Sequence, residues 1–347
     1  MLKLADIHSV LIVKPSSLGD VVHTLPSVHF LKRAYPNLSI QWLVNTEWAP
    51  LLTGNRDLDG VIPFPRNEFR GPFGLIKLAV WMKSTLWPTF DLALDFQGLA
   101  RSGFLAKFSG SSRIHCLGDA EIVSRLVAHR VVPAKRDVHA VQRYLKLVAD
   151  LGVPVEGPLE FSLPIGDKPL MRDNTRGYKG TDPTQRDRPF FMDRSFLLLH
   201  PFSRGLNKSL PQEAIESLCA FMQPIPVVIV GRSDLKLNLP ENCVNLLNQT
   251  SISELIWLIR HANFTLSVDS GPMHIAAAIT GRLLGIHTRT NPQIVGPCHP
   301  EAWVWKNGEL IQVKTLKTAS NLNQSQNFTL RHLPVVIEFL KERIQST

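Results

Sequence analysis

The stretch VLIVKPSSLGDVVHTLP, Val10 to Pro26, decides the fold. Val10 to Val13 form a short apolar run rich in β-branched residues, which reads as a strand buried on both faces. A short polar loop follows, and the spacing then predicts a helix over Val21 to Ala34, stopped by Pro36. A strand that passes through a small-residue turn straight into a helix is the opening unit of a parallel sheet. One carboxylate, Asp20, sits at the joint. As a helix cap it would accept hydrogen bonds from free backbone N–H groups. As a general base it would stay ionised near neutral pH and reach a substrate hydroxyl. Position alone leaves both readings open. Ser17, Leu18 and Gly19 make a tight turn that lets a substrate approach the backbone.

Working outward, Ile40 to Val44 and Gly60 to Phe64 read as strands, Phe73 to Leu86 as a helix, and Leu92, Leu94 and Phe96 as a short strand before QGLARSG. From Pro164 to Arg194 the period is lost. GDKPLMRDNTRGYKGTDPTQRDRP is rich in charge, Gly and Pro and reads as a linker or mobile insert. Alternation restarts with strands at Phe196 to His200, Val227 to Val230 and Phe264 to Val268. Helices are expected at Glu213 to Met222, Ser253 to His261, Met273 to Ile279 and Leu333 to Ile344. The fold class is therefore α/β: two Rossmann-like parallel-sheet domains facing a cleft. Their expected ranges are 1–165 and 196–347, with 166–195 between them and the last helix free to pack back on the first domain. Ligands in such sheets sit at the carboxyl ends of strands.

Two further joints repeat the pattern. In FTLSVDSGPMHIAAA, Phe264 to Ala278, a strand runs through a small-residue turn into an alanine-rich helix. The N–H groups of Ser270, Gly271 and the first helical turn suit a phosphate. Asp269 is expected to turn away from a diphosphate and brace the loop. His274, one turn into the helix, is either a structural histidine or a phosphate or sugar contact. In LLLHPFSRGLNKSLP, Leu197 to Pro211, the loop after a strand carries Arg204 and Lys208. These are either solvated surface charges or cations that neutralise a leaving diphosphate.

The chain has 347 residues, 44% hydrophobic and 19% charged, with a formal net charge of +9, so it favours anionic partners. A nucleic-acid binder is not supported, because no helix-turn-helix or RNA-binding signature accompanies the charge. No run approaches the roughly 20 apolar residues of a spanning helix, and no secretory leader pattern opens the chain. A cytoplasmic protein is expected. Four scattered cysteines, Cys116, Cys219, Cys243 and Cys298, read as buried free thiols. Nucleotide-loop, zinc-protease and serine-hydrolase motifs do not occur. Asp57 and Asp59 have a metal-holding spacing but a turn context, and read as structural. Leu75 to Pro88 carries Trp81 and Trp87 with Lys77 and Lys83, near Arg66, Arg70 and Arg101. Its apolar residues read as core, or as a surface that touches a membrane or a phosphorylated lipid.

KPSSLGDVVHTLP, DFQGLARSG, HPFSRGLNKSLP and SVDSGPMHIAAA, in that order, resemble the lipopolysaccharide heptosyltransferases, glycosyltransferase family 9. The resemblance is strongest over residues 7–66, 91–113, 196–232 and 264–280. It implies the GT-B fold and an inverting, metal-independent transfer of heptose from ADP-heptose to a lipopolysaccharide inner-core or lipid A-type acceptor, with no cofactor. It implies Asp20 as catalytic base, with Ser17, Gly19 and Arg101 on the acceptor. Lys208, Arg204, Asp269, Ser270, Gly271 and His274 would hold the donor. Such an enzyme would work in the cytoplasm, peripheral to the inner membrane. Where the family usually has a G-P-T-like turn, this chain reads GIHTRTNP, Gly285 to Pro292. Another nucleotide sugar or acceptor, or a catalytically degenerate nucleotide-binding relative, therefore stays open.

Overall fold

The computed structural model describes residues 7–86, 90–169, 195–320 and 322–345. The chain forms two compact units, Met1–Pro164 and Ile165–Thr347. Most of the predicted insert, and Trp87, lie outside the described residues.

The first unit holds β1 (Ser9–Val13), β2 (Ser39–Asn45), β3 (Gly60–Phe64), β4 (Leu92–Asp95), β5 (Arg113–Leu117) and β6 (Arg130–Val132). They form one parallel sheet in the order β3-β2-β1-β4-β5-β6. Its helices are α1 (Leu18–Ala34), α2 (Gly74–Thr85), α3 (Ala100–Phe108), α4 (Ile122–Val127) and α5 (Ala140–Ala149). Side chains alternate across a sheet. Leu11, Val13, Leu43, Ile62, Ala93 and Ile114 accordingly meet α2 and α3 through Trp81, Met82, Leu105 and Ala106. α1 is buried on nearly every side from Leu18 to Leu31, so it lacks the polar face of a surface helix. It begins three residues earlier than the sequence predicts, because Ser17 rather than Asp20 is the cap.

The second unit holds β7 (Leu197–His200), β8 (Val227–Ile229), β9 (Cys243–Asn245), β10 (Phe264–Val268), β11 (Leu283–Ile286), β12 (Trp303–Lys306) and β13 (Glu309–Gln312). The order is β13-β12-β11-β10-β7-β8-β9. The sheet is parallel except for β13, which pairs antiparallel with β12. Its helices are α6 (Gln212–Phe221), α7 (Ile252–His261), α8 (Gly271–Ile279), α9 (Pro292–Val295) and α10 (Leu333–Gln345). α7 opens on a capping box in which Ser251 Oγ accepts from Glu254 N at 3.1 Å and Glu254 Oε2 from Ser251 N at 2.7 Å. The last helix, α10, packs through Val336, Phe339 and Leu340 into the core of its own unit. Gly285 lets α8 approach β11 closely: a Cβ there would lie 2.7 Å from Met273 Sδ.

In each sheet the strand order reverses once, between β1 and β4 and between β7 and β10. Loops leave in opposite directions at such a point and open a crevice at the carboxyl ends of the strands. The candidate residues cluster at these two places. Cys116, Cys219 and Cys243 are buried free thiols, and Cys298 is half-buried. Asp57 accepts from Ser162 Oγ at 2.7 Å and faces His29 Nδ1 at 3.1 Å. Asp59 accepts from Ile40 N at 2.8 Å and Lys32 Nζ at 2.9 Å. Both carboxylates thus anchor the turn before β3.

Candidate active site

Asp20 sits in the first turn of α1, just past the end of β1. Its Oδ2 accepts from Ser17 N at 3.1 Å and Ser17 Oγ at 2.7 Å. Its Oδ1 accepts from the Tyr144 hydroxyl at 2.9 Å. That hydroxyl in turn accepts from Lys14 Nζ at 2.9 Å and Arg143 Nη2 at 3.2 Å. Lys14 also donates to Phe96 O at 3.1 Å and is 2% exposed. A buried ammonium needs such partners. Burial alone would raise the Asp20 pKa, but the Lys14 charge and the hydrogen bonds from Ser17 and Tyr144 outweigh it and hold the pKa below the usual range. Asp20 is therefore ionised at neutral pH. The cap reading of Asp20 is corrected: Ser17 is the cap, and Asp20 at the third helical position receives the cap residue's N–H with one oxygen while a buried tyrosine holds the other. Sequence reasoning missed Lys14, which reads as an exposed charge, and Tyr144, which only the fold brings to this place.

A cavity of about 390 Å³ opens beside this loop. Pro15 and Ser16 line it from the β1 loop, Gln97, Arg101 and Ser102 from the β4 loop, and Asn45 from the end of β2. Gln97 Oε1 accepts from Ser16 N at 3.0 Å and joins the two loops. Asn45 is 3% exposed, and its Oδ1 is buried without a hydrogen-bond partner. Arg101 brings a cation to the wall. Of the other expected acceptor residues, Ser17 is exposed and Gly19 is buried within the first turn of α1, and neither lines the cavity. The QGLARSG loop is shaped by the fully buried Asp95, which accepts from Gln97 N and Gly98 N at 3.0 Å, Ser102 Oγ at 2.9 Å and Ser124 Oγ at 2.7 Å. Gly98 has φ +67°, and a Cβ there would meet Ala120 Cβ at 2.9 Å, so the loop needs glycine.

In the second unit, Lys208 Nζ donates to Asp269 Oδ2 at 2.6 Å. Thr290 Oγ1 donates to the same oxygen at 2.7 Å. His287 Nδ1 lies 3.0 Å from Thr290 Oγ1. Because that hydroxyl gives its hydrogen to Asp269, His287 Nδ1 must carry the proton between them. Lys306, 1% exposed, donates to Thr290 O at 3.1 Å. Burial would raise the Asp269 pKa; His287, Lys208 and His274 lower it below the ordinary value. Burial pushes His287 itself down to about 4, so at neutral pH Lys208 is the cation that keeps Asp269 ionised. Asp269 thus braces Lys208 and the 287–291 turn, as its position before a phosphate-type loop requires.

Ser270 caps α8 without a side-chain capping bond. Its Oγ donates to Val268 O at 3.0 Å and lies 3.2 Å from His200 Nδ1. Gly271 and Pro272 open the helix, and a proline there has no N–H to satisfy. Helix N-termini of this kind favour anions. His274 is buried in the first turn. Arg204 is exposed in the same loop as Lys208. Thr290 and His287 escaped the sequence reading of the site, although the GIHTRTNP turn had been singled out. Among the described residues, no group of three His, Cys, Asp or Glu side chains could hold a metal ion.

Two doubly wound sheets, each with candidate residues at the reversal of strand order, are the architecture of the GT-B fold. A sequence model of glycosyltransferase family 9 (heptosyltransferase) matches residues 82–325, and the chain belongs to that family. It is 26% identical to lipopolysaccharide heptosyltransferase 1 of Pseudomonas aeruginosa over 300 residues, 83% of this chain and 80% of that protein. It is 25% identical to lipooligosaccharide heptosyltransferase 2 of Haemophilus influenzae over 341 residues, 91% of this chain and 94% of the relative. It shares its fold with the Escherichia coli heptosyltransferase WaaC solved with ADP, at TM-score 0.72 and 20% identity, covering 96% of this chain and 99% of that one.

Proposed function

We propose that this chain transfers a heptose from ADP-heptose to an inner-core sugar of lipopolysaccharide, inverting the anomeric centre without a metal. Family membership supports a heptosyl transfer, and the names of the relatives point to lipopolysaccharide. A neighbour solved with ADP-2-deoxy-2-fluoro heptose points to the donor.

The observation that carries the mechanism is the ionised Asp20, held by Ser17 and Tyr144 at the mouth of the β1 loop. Its carboxylate takes the proton from an acceptor hydroxyl as that oxygen attacks the anomeric carbon. A carboxylate with a lowered pKa is a weak base in the ground state. In a concerted displacement the proton becomes acidic only as the new C–O bond forms, so full ionisation matters more than basicity. The acceptor occupies residues 1–165, in the cavity lined by Ser16 of the β1 loop, where Asn45 Oδ1 accepts a sugar hydroxyl and Arg101 meets an acidic group. The donor occupies residues 196–347. Its diphosphate lies on the N-terminus of α8 at Ser270 and Gly271, with Lys208, Arg204 and His274 beside it. These donors stabilise the charge that grows on ADP as it leaves. The enzyme works in the cytoplasm, at the surface of the inner membrane, where its acceptor is anchored.

Thermal melting with ADP, UDP, GDP and CMP, each with magnesium or with chelator, tests the donor assignment. A ligand at 100 times its dissociation constant adds about 2.7 kcal/mol to the folded state. Selective stabilisation by ADP, equal with and without magnesium, is expected. Selectivity for another nucleotide moves the donor assignment, and no response from a cooperatively melting protein contradicts it.

A further inference from the structure

α2, α3 and α4 form an unusual surface. Leu78, Trp81 and Met82 of α2 and Leu105 and Ala106 of α3 enter one core cluster, so these helices cover the same sheet face. α4 packs beside α3. Their outer sides are apolar where a surface helix is ordinarily polar. Phe73, Ile76 and Val80 share the outer face of α2 at helical spacing and are each more than 60% exposed. On α3, Phe104 and Phe108 are more than half exposed, with ring centroids 6.4 Å apart. On α4, Ile122 and Leu126 are 63% and 79% exposed. Single exposed apolar residues need no explanation, but a run over three neighbouring helices marks an interaction site.

The charges around these residues are mostly positive, with Glu68 before α2 and Asp119 and Glu121 before α4 as the acids at the border. Residues 69–90 contain no acid but carry Arg70, Lys77 and Lys83. Residues 96–118 contain no acid but carry Arg101, Lys107 and Arg113. Lys77 and Lys83 border the apolar stripe of α2 and are exposed. At the edge, the Glu121 carboxylate accepts from Ala100 N at 2.7 Å.

We propose that this face docks the protein on an anionic lipid bilayer. The aromatic and aliphatic side chains enter the boundary between headgroups and acyl chains, and the lysines lie along the phosphates. A second copy of the chain fits less well, since self-association would bring cations onto cations. A bilayer satisfies both features at once. No described helix is long and apolar enough to cross a membrane, so this attachment lies on the surface. The surface gives the membrane location of the proposed function a definite face, and it rests on the helices rather than on the catalytic assignment.

Sedimentation of the full chain with vesicles tests the surface. Binding is expected to phosphatidylglycerol–phosphatidylethanolamine vesicles at low salt, with little binding to phosphatidylcholine, and to fall at about 0.5 M salt. K77Q/K83Q should lose about fivefold in partitioning for each charge removed. I76S/V80S should lose the salt-resistant part. These residues are exposed, and an unchanged melting temperature shows that the variants fold. Absence of binding by the wild-type chain overturns the proposal. So does binding indifferent to both variants, or concentration-dependent self-association that I76S/V80S abolishes in place of vesicle binding. The ADP melting response is read on the same samples, so failure of the donor assignment is seen separately from failure of docking.

Discussion

At the residue scale, the Lys14 charge, the two Ser17 hydrogen bonds and the Tyr144 hydroxyl hold the Asp20 pKa below its ordinary value. The tyrosine hydroxyl accepts from the ammonium and donates to the carboxylate, so one atom connects both charges. Tyr144→Phe keeps the ring, over which Lys14 Nζ sits 4.7 Å from the centroid, and removes only that atom. The pKa of Asp20 should then rise, because a hydrogen bond to the charged form is gone. A carboxylate with a depressed pKa is active above that pKa and loses activity as pH falls through it. The acidic limb of kcat/KM should therefore move to higher pH in Tyr144→Phe, and an unmoved limb would detach Tyr144 from the base. The variant should also lose about 1–3 kcal/mol of stability, since a buried ammonium has lost a partner. The legible part of this site was Asp20 itself, whose place after an apolar run and a small-residue loop marks a strand end. Lys14 was in the same motif but reads as a solvated charge. Tyr144 lies 124 residues from Asp20 in sequence, and nothing local announces that α5 supplies it.

At the element scale, the loop after β11 carries the departure from the expected family pattern, and it is wired to the proposed donor residues. Thr290 donates to the oxygen of Asp269 that Lys208 also binds, and its own main chain is held by the buried Lys306. Thr290→Val keeps the shape and removes the hydroxyl. ADP binding, measured by calorimetry, should weaken about tenfold, the scale of one charge-assisted hydrogen bond. Thr290→Ser should restore it; equal binding by both variants would make the turn a bystander. Strand–turn–helix joints were legible because period and small residues mark them. The β12–β13 hairpin was missed although its signal is present. Asn307 and Gly308, with φ of 53° and 90°, are the Asn-Gly pair that favours tight antiparallel turns. The expectation of parallel strands hid it. β6 and β9 have three residues each and are too short to show a period.

At the scale of the whole molecule, the proposed function divides the work: the first unit would supply the base and the acceptor cavity, and the second the diphosphate site. Two-unit architecture was legible from the loss of period after Pro164 and its return at Phe196. The close packing that creates the cavity beside the β1 loop was not, because it depends on strand order rather than on any local pattern. A division of labour predicts that chemistry and donor binding separate under mutation. The direct measurement is heptosyl transfer by Asp20→Asn beside its ADP affinity. The amide keeps the size of the side chain and removes its ability to take a proton. Transfer should fall about 100-fold or more while ADP binds as in the wild-type chain. Undiminished transfer by Asp20→Asn would remove Asp20 as the base and contradict the account at its centre.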